Sequence, residues 1–160
     1  MKPNIYISGP ITCSYGNQPR DGWQKDFLEA EAKLRTMGFN VINPIDIAQE
    51  VDDAFKWRFR QFGGPCNGLG EPHSPTRTDY IMACLQRMKM AHDADMLHGV
   101  YVIGGNTRAE HSIGVSMELH MATLLGIPIY GEDLAYTIFL PQIHIKIKDS
   151  EITELLKELY

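Results

Sequence analysis

The sequence predicts an α/β protein, a doubly wound three-layer sandwich built on a mostly parallel sheet of four or five strands. Three observations predict it. Short apolar runs rich in β-branched and aromatic residues alternate along the chain with longer segments whose apolar positions recur at threes and fours. The first strand run, the first helical segment and the second strand run follow one another between residues 4 and 43, which is the spacing of a βαβ unit. The strand runs end at Gly, Pro or a polar turn, where ligands of such open sheets bind. This is the flavodoxin- or Rossmann-like architecture, and 160 residues suffice for one domain of it, spanning 1–160.

Each element has its own reason. "NIYIS" at 4–8 reads as a strand stopped by Gly9 and Pro10. From Gly22 to Met37 the positions Trp23, Phe27, Ala30, Leu34 and Met37 mark a helix with one buried stripe, closed by Gly38. "FNVIN" at 39–43 is the second strand, and Pro44 ends it. Residues 46–60 are read as helical. The segment 63–77, "GGPCNGLGEPHSPTR", is too rich in Gly and Pro for a regular element and is read as a long loop, either covering a site or inserted at the surface. Thr78 or Asp79 caps the next helix, whose stripe is Ile81, Leu85 and Met88. A third strand lies near 96–104, a polar turn leads to a helix starting at Ser112 with the core stripe Val115, Leu119 and Ala122, and "IPIY" at 127–130 is the fourth strand. A fifth strand at 143–147 and a last helix after Asp149 complete the chain.

Composition narrows the function. Fifteen basic against twenty acidic residues give a net charge of −5, which disfavours a nucleic-acid backbone as partner. The one basic cluster, "KWRFR" at 56–60, is either a solvated helix face or phosphate-facing. No apolar run reaches the roughly 18 residues of a membrane span, and the N-terminus lacks the apolar core of a signal peptide, so a cytoplasmic protein without a membrane partner is expected. Cys13, Cys66 and Cys84 lack CxxC spacing and are read as reduced thiols; the histidine pairs 92/98 and 111/120 lack i, i+4 geometry, so no metal site is expected.

The chemistry gathers at the strand ends. Ser112 is placed as an N-cap, and the free N–H groups after it make an anion site. Gly114 and Glu118 are four apart and share a helix face, so the missing side chain at 114 leaves room for a ligand beside the carboxylate. Glu118 borders the apolar stripe, where a carboxylate is costly unless paired or functional. Tyr6, Ser8 and Gly9 offer hydroxyls and close backbone approach at the first strand end. Neither GxGxxG nor GxxxxGK[ST] is present, which disfavours dinucleotide and P-loop cradles.

"IYISGP" at 5–10, "FNVINP" at 39–44, and the block Ser112, Gly114, Val115, Glu118, Leu119, Ala122, Gly126, Pro128 and Ile129 together resemble the nucleoside 2-deoxyribosyltransferase-like family, including its branch of deoxynucleoside 5'-monophosphate N-hydrolases. The resemblance covers about residues 4–131. It implies Glu118 as the nucleophile at the anomeric carbon and Asp79 as acid/base, with Asp93 and Asp95 as alternatives, and Tyr6, Ser8, Gly9, Ser112 and Gly114 around the substrate. No metal or organic cofactor is implied. Transferases of the family carry an aspartate where this chain has Ser112; a serine there implies a 5'-phosphate, with Thr107 and Arg108 supplementing it and Trp57 or Phe62 stacking on the base. The resemblance thus implies cleavage of the N-glycosidic bond of a (deoxy)nucleoside 5'-monophosphate by a homodimer or larger homo-oligomer acting on a small-molecule nucleotide or nucleoside. The alternatives are base exchange between free deoxynucleosides and a non-catalytic nucleotide binder.

Overall fold

The computed structural model describes residues 2–11, 21–62, 74–104 and 112–131, the side chains of Phe59, Gln61 and Phe62 excepted. The expected elements at 143–147 and after Asp149, most of the 63–77 loop, Thr107, Arg108, Cys13 and Cys66 lie outside the described residues.

The elements run β1 (Asn4–Ser8), α1 (Trp23–Thr36), β2 (Asn40–Ile42), α2 (Pro44–Phe62), α3 (Arg77–Asp93), β3 (Gly99–Val102), α4 (Ile113–Leu124) and β4 (Ile129–Tyr130). The four strands form one sheet in the order β2-β1-β3-β4, with every pairing parallel. Tyr6 stands opposite Ile42 on one side and Val100 on the other, and Ser8 opposite Val102. The expected doubly wound α/β sandwich is therefore the fold, in a flavodoxin-like strand order.

Strand periodicity of two sends neighbouring side chains to opposite layers. Ile5 and Ile7 of β1 and Tyr101 of β3 pack with Phe27, Ala30 and Leu34 of α1. Tyr6, Val100 and Val102 point the other way, against Cys84 and Met88 of α3 and Val115, Leu119 and Ala122 of α4. The chain leaves β1 to one side for β2 and later crosses back to β3, so the carboxyl ends of β1 and β3 are the topological switch point at which such sheets open a crevice.

The second, third and fourth strands are shorter than the expected 39–43, 96–104 and 127–130, and the helices α1, α2 and α3 also differ from expectation. The α1 stripe stops at Leu34: Met37 is 51% exposed, because Gly38, at φ 92°, turns the chain away behind it. Helix α2 extends beyond 46–60 at both ends. Pro44 fits the first turn, where a missing N–H is harmless, and the Asn43 side chain accepts a hydrogen bond from the Ile45 N–H at 3.0 Å. Helix α3 starts at Arg77, with Thr76 as N-cap in place of Thr78 or Asp79. The Asp79 carboxylate instead reaches back to the Thr76 N–H at 2.7 Å, closing a capping box. No described helix is long and apolar enough to cross a membrane.

Candidate active site

Helix α4 delivers Glu118 to the switch point. The Ser112 hydroxyl accepts a hydrogen bond from the Val115 N–H at 3.3 Å and starts the helix as expected; Gly126, at φ 69°, follows its end. Val115, Leu119 and Ala122 are fully buried, each such side chain except the small Ala contributing roughly 1.5–3 kcal/mol. They hold the helix so tightly against β1 and β3 that Glu118 lies inside the molecule, 7% exposed, rather than at the edge of the stripe.

A carboxylate in that position is poorly solvated, and burial pushes the Glu118 carboxyl up to about 8. The hydroxyls of Ser8 and Tyr6 oppose the shift without closing well-formed hydrogen bonds. Tyr6 Oη, Ser8 Oγ and Glu118 Oε2 are all buried without a hydrogen-bond partner among the described residues. Three unpartnered polar atoms thus lie together beside the buried carboxyl. Burial, and next the nearby Glu118, also raise the Tyr6 phenol well above its ordinary value and push the Cys84 thiol up to about 12, so both are neutral.

Glu118 lines a cleft of about 570 Å³. Its walls come from Gly9 and Ile11 after β1; Trp23 and Gln24 of α1; Ala48 and Asp52 of α2; Ser74 and Pro75 before α3 with Arg77, Tyr80, Ile81 and Cys84 on it; and Ser112 and Gly114 beside α4's start. A Cβ at Gly9 would press on Ile103 and Phe27 at 3.1 Å, so that turn packs closely because it is glycine. A Cβ at Gly114 would meet Ile81 at an ordinary 3.7 Å; the residue leaves modest free space on the cleft wall.

Glu118, Ser112, Gly114 and Gly9 are thus brought together in one cleft. Tyr6 and Ser8 stand behind it as core groups of β1, their hydroxyls near the carboxylate. Asp79 is not among the cleft-lining residues: its Oδ2 takes both the Thr76 N–H and the Thr76 hydroxyl, the latter at 2.9 Å. Asp93 is exposed and ion-paired with Lys89, which holds its carboxyl below its ordinary value, and Asp95 is an exposed turn residue at φ 55°. Trp57 is 56% exposed on α2 and does not line the cleft; Trp23 does, edge-on to Phe27 at 5.6 Å between centroids. Lys56, Arg58 and Arg60 of the basic cluster are likewise exposed on α2 and away from the cleft. Among the described residues no three His, Cys, Asp or Glu side chains converge as metal ligands, and Cys84 is free and buried.

The sequence does not single out as site residues several groups that line the cleft, Asp52, Arg77 and Tyr80 among them, and it marks Cys84 only as a reduced thiol. Tyr80 and Asp52 join α3 to α2 through a hydrogen bond in which the phenol donates to Oδ1 at 2.6 Å; burial and that bond push the phenol up to about 12. The signal available in advance was spacing: Arg77, Tyr80, Ile81 and Cys84 recur at threes and fours and share one α3 face. Comparison of the chain with protein-family models, with characterised proteins and with solved structures finds no match in any of the three.

Proposed function

We propose that the protein is an N-glycosidase that releases the base from a (deoxy)nucleoside 5'-monophosphate, with Glu118 as nucleophile. The observation that carries the reading is the Glu118 carboxyl itself. It is buried, one oxygen lacks a partner among the described residues, and it lines a cleft at the switch point about one helical turn from Gly114 and nearly two from Ser112. The resemblance of the Ser112–Ile129 block to the nucleoside 2-deoxyribosyltransferase-like family supports the same role.

In this reading the ionised carboxylate attacks C1' of the sugar as the C1'–N bond breaks. The base leaves with the bonding pair and takes a proton from an acid carboxyl. Water, giving a proton to that same carboxylate, then attacks C1' and restores Glu118. Glu118 must lose its own proton first, and the cationic character that develops at C1' then stabilises the carboxylate in the low-dielectric cleft.

Asp79 is the acid/base by resemblance, using Oδ1, which is left free by the cap; Asp52 is the carboxylate on the cleft wall and the second candidate. A substrate whose base is a better leaving group restores the rate of whichever Asp→Asn variant lacks the acid, and of no other. We further propose a cytoplasmic homo-oligomer acting on small molecules, which light scattering on the purified protein tests for assembly. Incubation with a panel of deoxy- and ribonucleoside monophosphates and the matching nucleosides tests the activity: free base appears from monophosphates in preference to nucleosides, and none appears with Glu118→Ala. Base exchange outrunning base release would instead establish a transferase, and ligand binding without turnover a silent binder.

A further inference from the structure

Arg77 is a cation on the cleft wall with no counter-ion among the described residues. Its side chain lines the wall, its Nε is buried without a hydrogen-bond partner, and it forms no salt bridge among the described residues. The carboxylates around it are engaged elsewhere. Asp52, on the same wall, accepts the Tyr80 hydroxyl, and Asp79, two residues on, turns back to Thr76. Glu118 holds its proton below about pH 8 and so presents no repelling charge at neutral pH. Burying part of a guanidinium without a partner is costly, and on a chain of net charge −5 with acids nearby the lack of one is conspicuous.

We propose that Arg77 is an anion receptor of the cleft, and that the group it takes is the phosphomonoester of a sugar phosphate, gripped through the planar guanidinium fork. The inference rests on the nucleotide reading above for the sugar, and adds to it a charged anchor on α3, separate from the Ser112 end of α4. It explains how an acidic protein selects an anionic ligand: among the described residues Arg77 is a cleft cation without an ion-pair partner, while the basic cluster on α2 faces solvent.

The test uses ligands that carry no base, so turnover does not enter. Titration calorimetry on the full chain measures 2-deoxyribose 5-phosphate, 2-deoxyribose and inorganic phosphate against wild type, Arg77→Gln and Arg77→Lys. The wild type binds the sugar phosphate, binds the free sugar far more weakly, and binds inorganic phosphate more weakly than the sugar phosphate but in competition with it. Arg77→Gln loses roughly 10- to 100-fold in affinity for the sugar phosphate, the loss expected for a charge-assisted hydrogen bond. Arg77→Lys falls between, since a point charge lacks the fork.

In the unmutated protein the Arg77 Nε–H resonance shifts with the sugar phosphate and not with the free sugar, a readout that needs no variant. The proposal is overturned by wild-type affinity in Arg77→Gln, by equal binding of sugar and sugar phosphate, by no binding of either, or by a stationary Nε–H signal. Inorganic phosphate bound as tightly as the sugar phosphate would overturn the choice of ligand. Arg77-dependent binding together with no base release from any nucleotide would remove the glycosidase reading alone; base release with Arg77→Gln binding unchanged would remove this one alone.

Discussion

Replacing Glu118 by glutamine removes the buried carboxyl that lines the cleft, and the consequence for stability follows from its burial. In the unfolded chain this carboxyl has its ordinary value of 4.5, and in the folded protein burial holds it at about 8. Between those two pH values the folded state keeps a proton that the unfolded state has released. Raising the pH therefore favours unfolding, by about 1.4 kcal/mol per pH unit from this group. The contribution is fully present below pH 4.5, is lost as the pH rises through about 8, and is constant above that; the whole loss is roughly 5 kcal/mol, a large share of the roughly 5–15 kcal/mol of a typical domain. Glutamine has the same shape and does not titrate. Urea unfolding of wild type and Glu118→Gln at closely spaced pH values from 4.5 to 9 measures the difference directly, because every other titrating group is common to both. The difference curve should climb in favour of the variant by about 1.4 kcal/mol per pH unit and level off near pH 8. A flat difference curve across that range would refute the buried, proton-holding carboxyl.

The other predictions concern the reaction and the frame. If Glu118 is the proposed nucleophile it must ionise before it attacks, so kcat/KM for base release should rise with pH along a limb whose midpoint lies near 8; a rate independent of pH between 6 and 9 would contradict that ionisation. Gly9→Ala should cost roughly 1–3 kcal/mol in urea unfolding, since its methyl would press on the buried Ile103 and Phe27 side chains at 3.1 Å, and unchanged stability would show that the turn has slack. Thr76→Ala should cost about 1 kcal/mol by breaking the capping box of α3, and should lower hydrogen-exchange protection in that helix's first turn first.

Much of the frame is legible because it is local. The α4 stripe, its Ser112 cap and the strand runs stopped by Gly or Pro depend on near neighbours in the chain, and the fold has them where periodicity puts them. The α3 cap is less legible, since Thr78 and Asp79 are both of capping type; only Thr76, one turn earlier, stands three residues before an acidic side chain that can complete a box, and that spacing decides it. The depth of Glu118 was not legible. Its register places it at the stripe's edge, and only the close approach of β1, with Tyr6 and Ser8 turned toward it, encloses it. Arg77 and Asp52 escaped for the same reason: they meet in one cleft because α2 and α3 pack across each other, a long-range fact with no local signature.

The proposed glycosidase chemistry turns on whether Glu118 forms a bond to the sugar. A 2'-fluoro-2'-deoxynucleoside 5'-monophosphate, whose fluorine slows hydrolysis of a glycosyl-enzyme more than its formation, can be mixed with the protein and the intact mass read after quenching. The expected result is a mass gain equal to the fluorinated sugar phosphate less one water, mapped by peptide sequencing to Glu118 and absent from Glu118→Gln. Base release without any adduct, or an adduct on another residue, would contradict it.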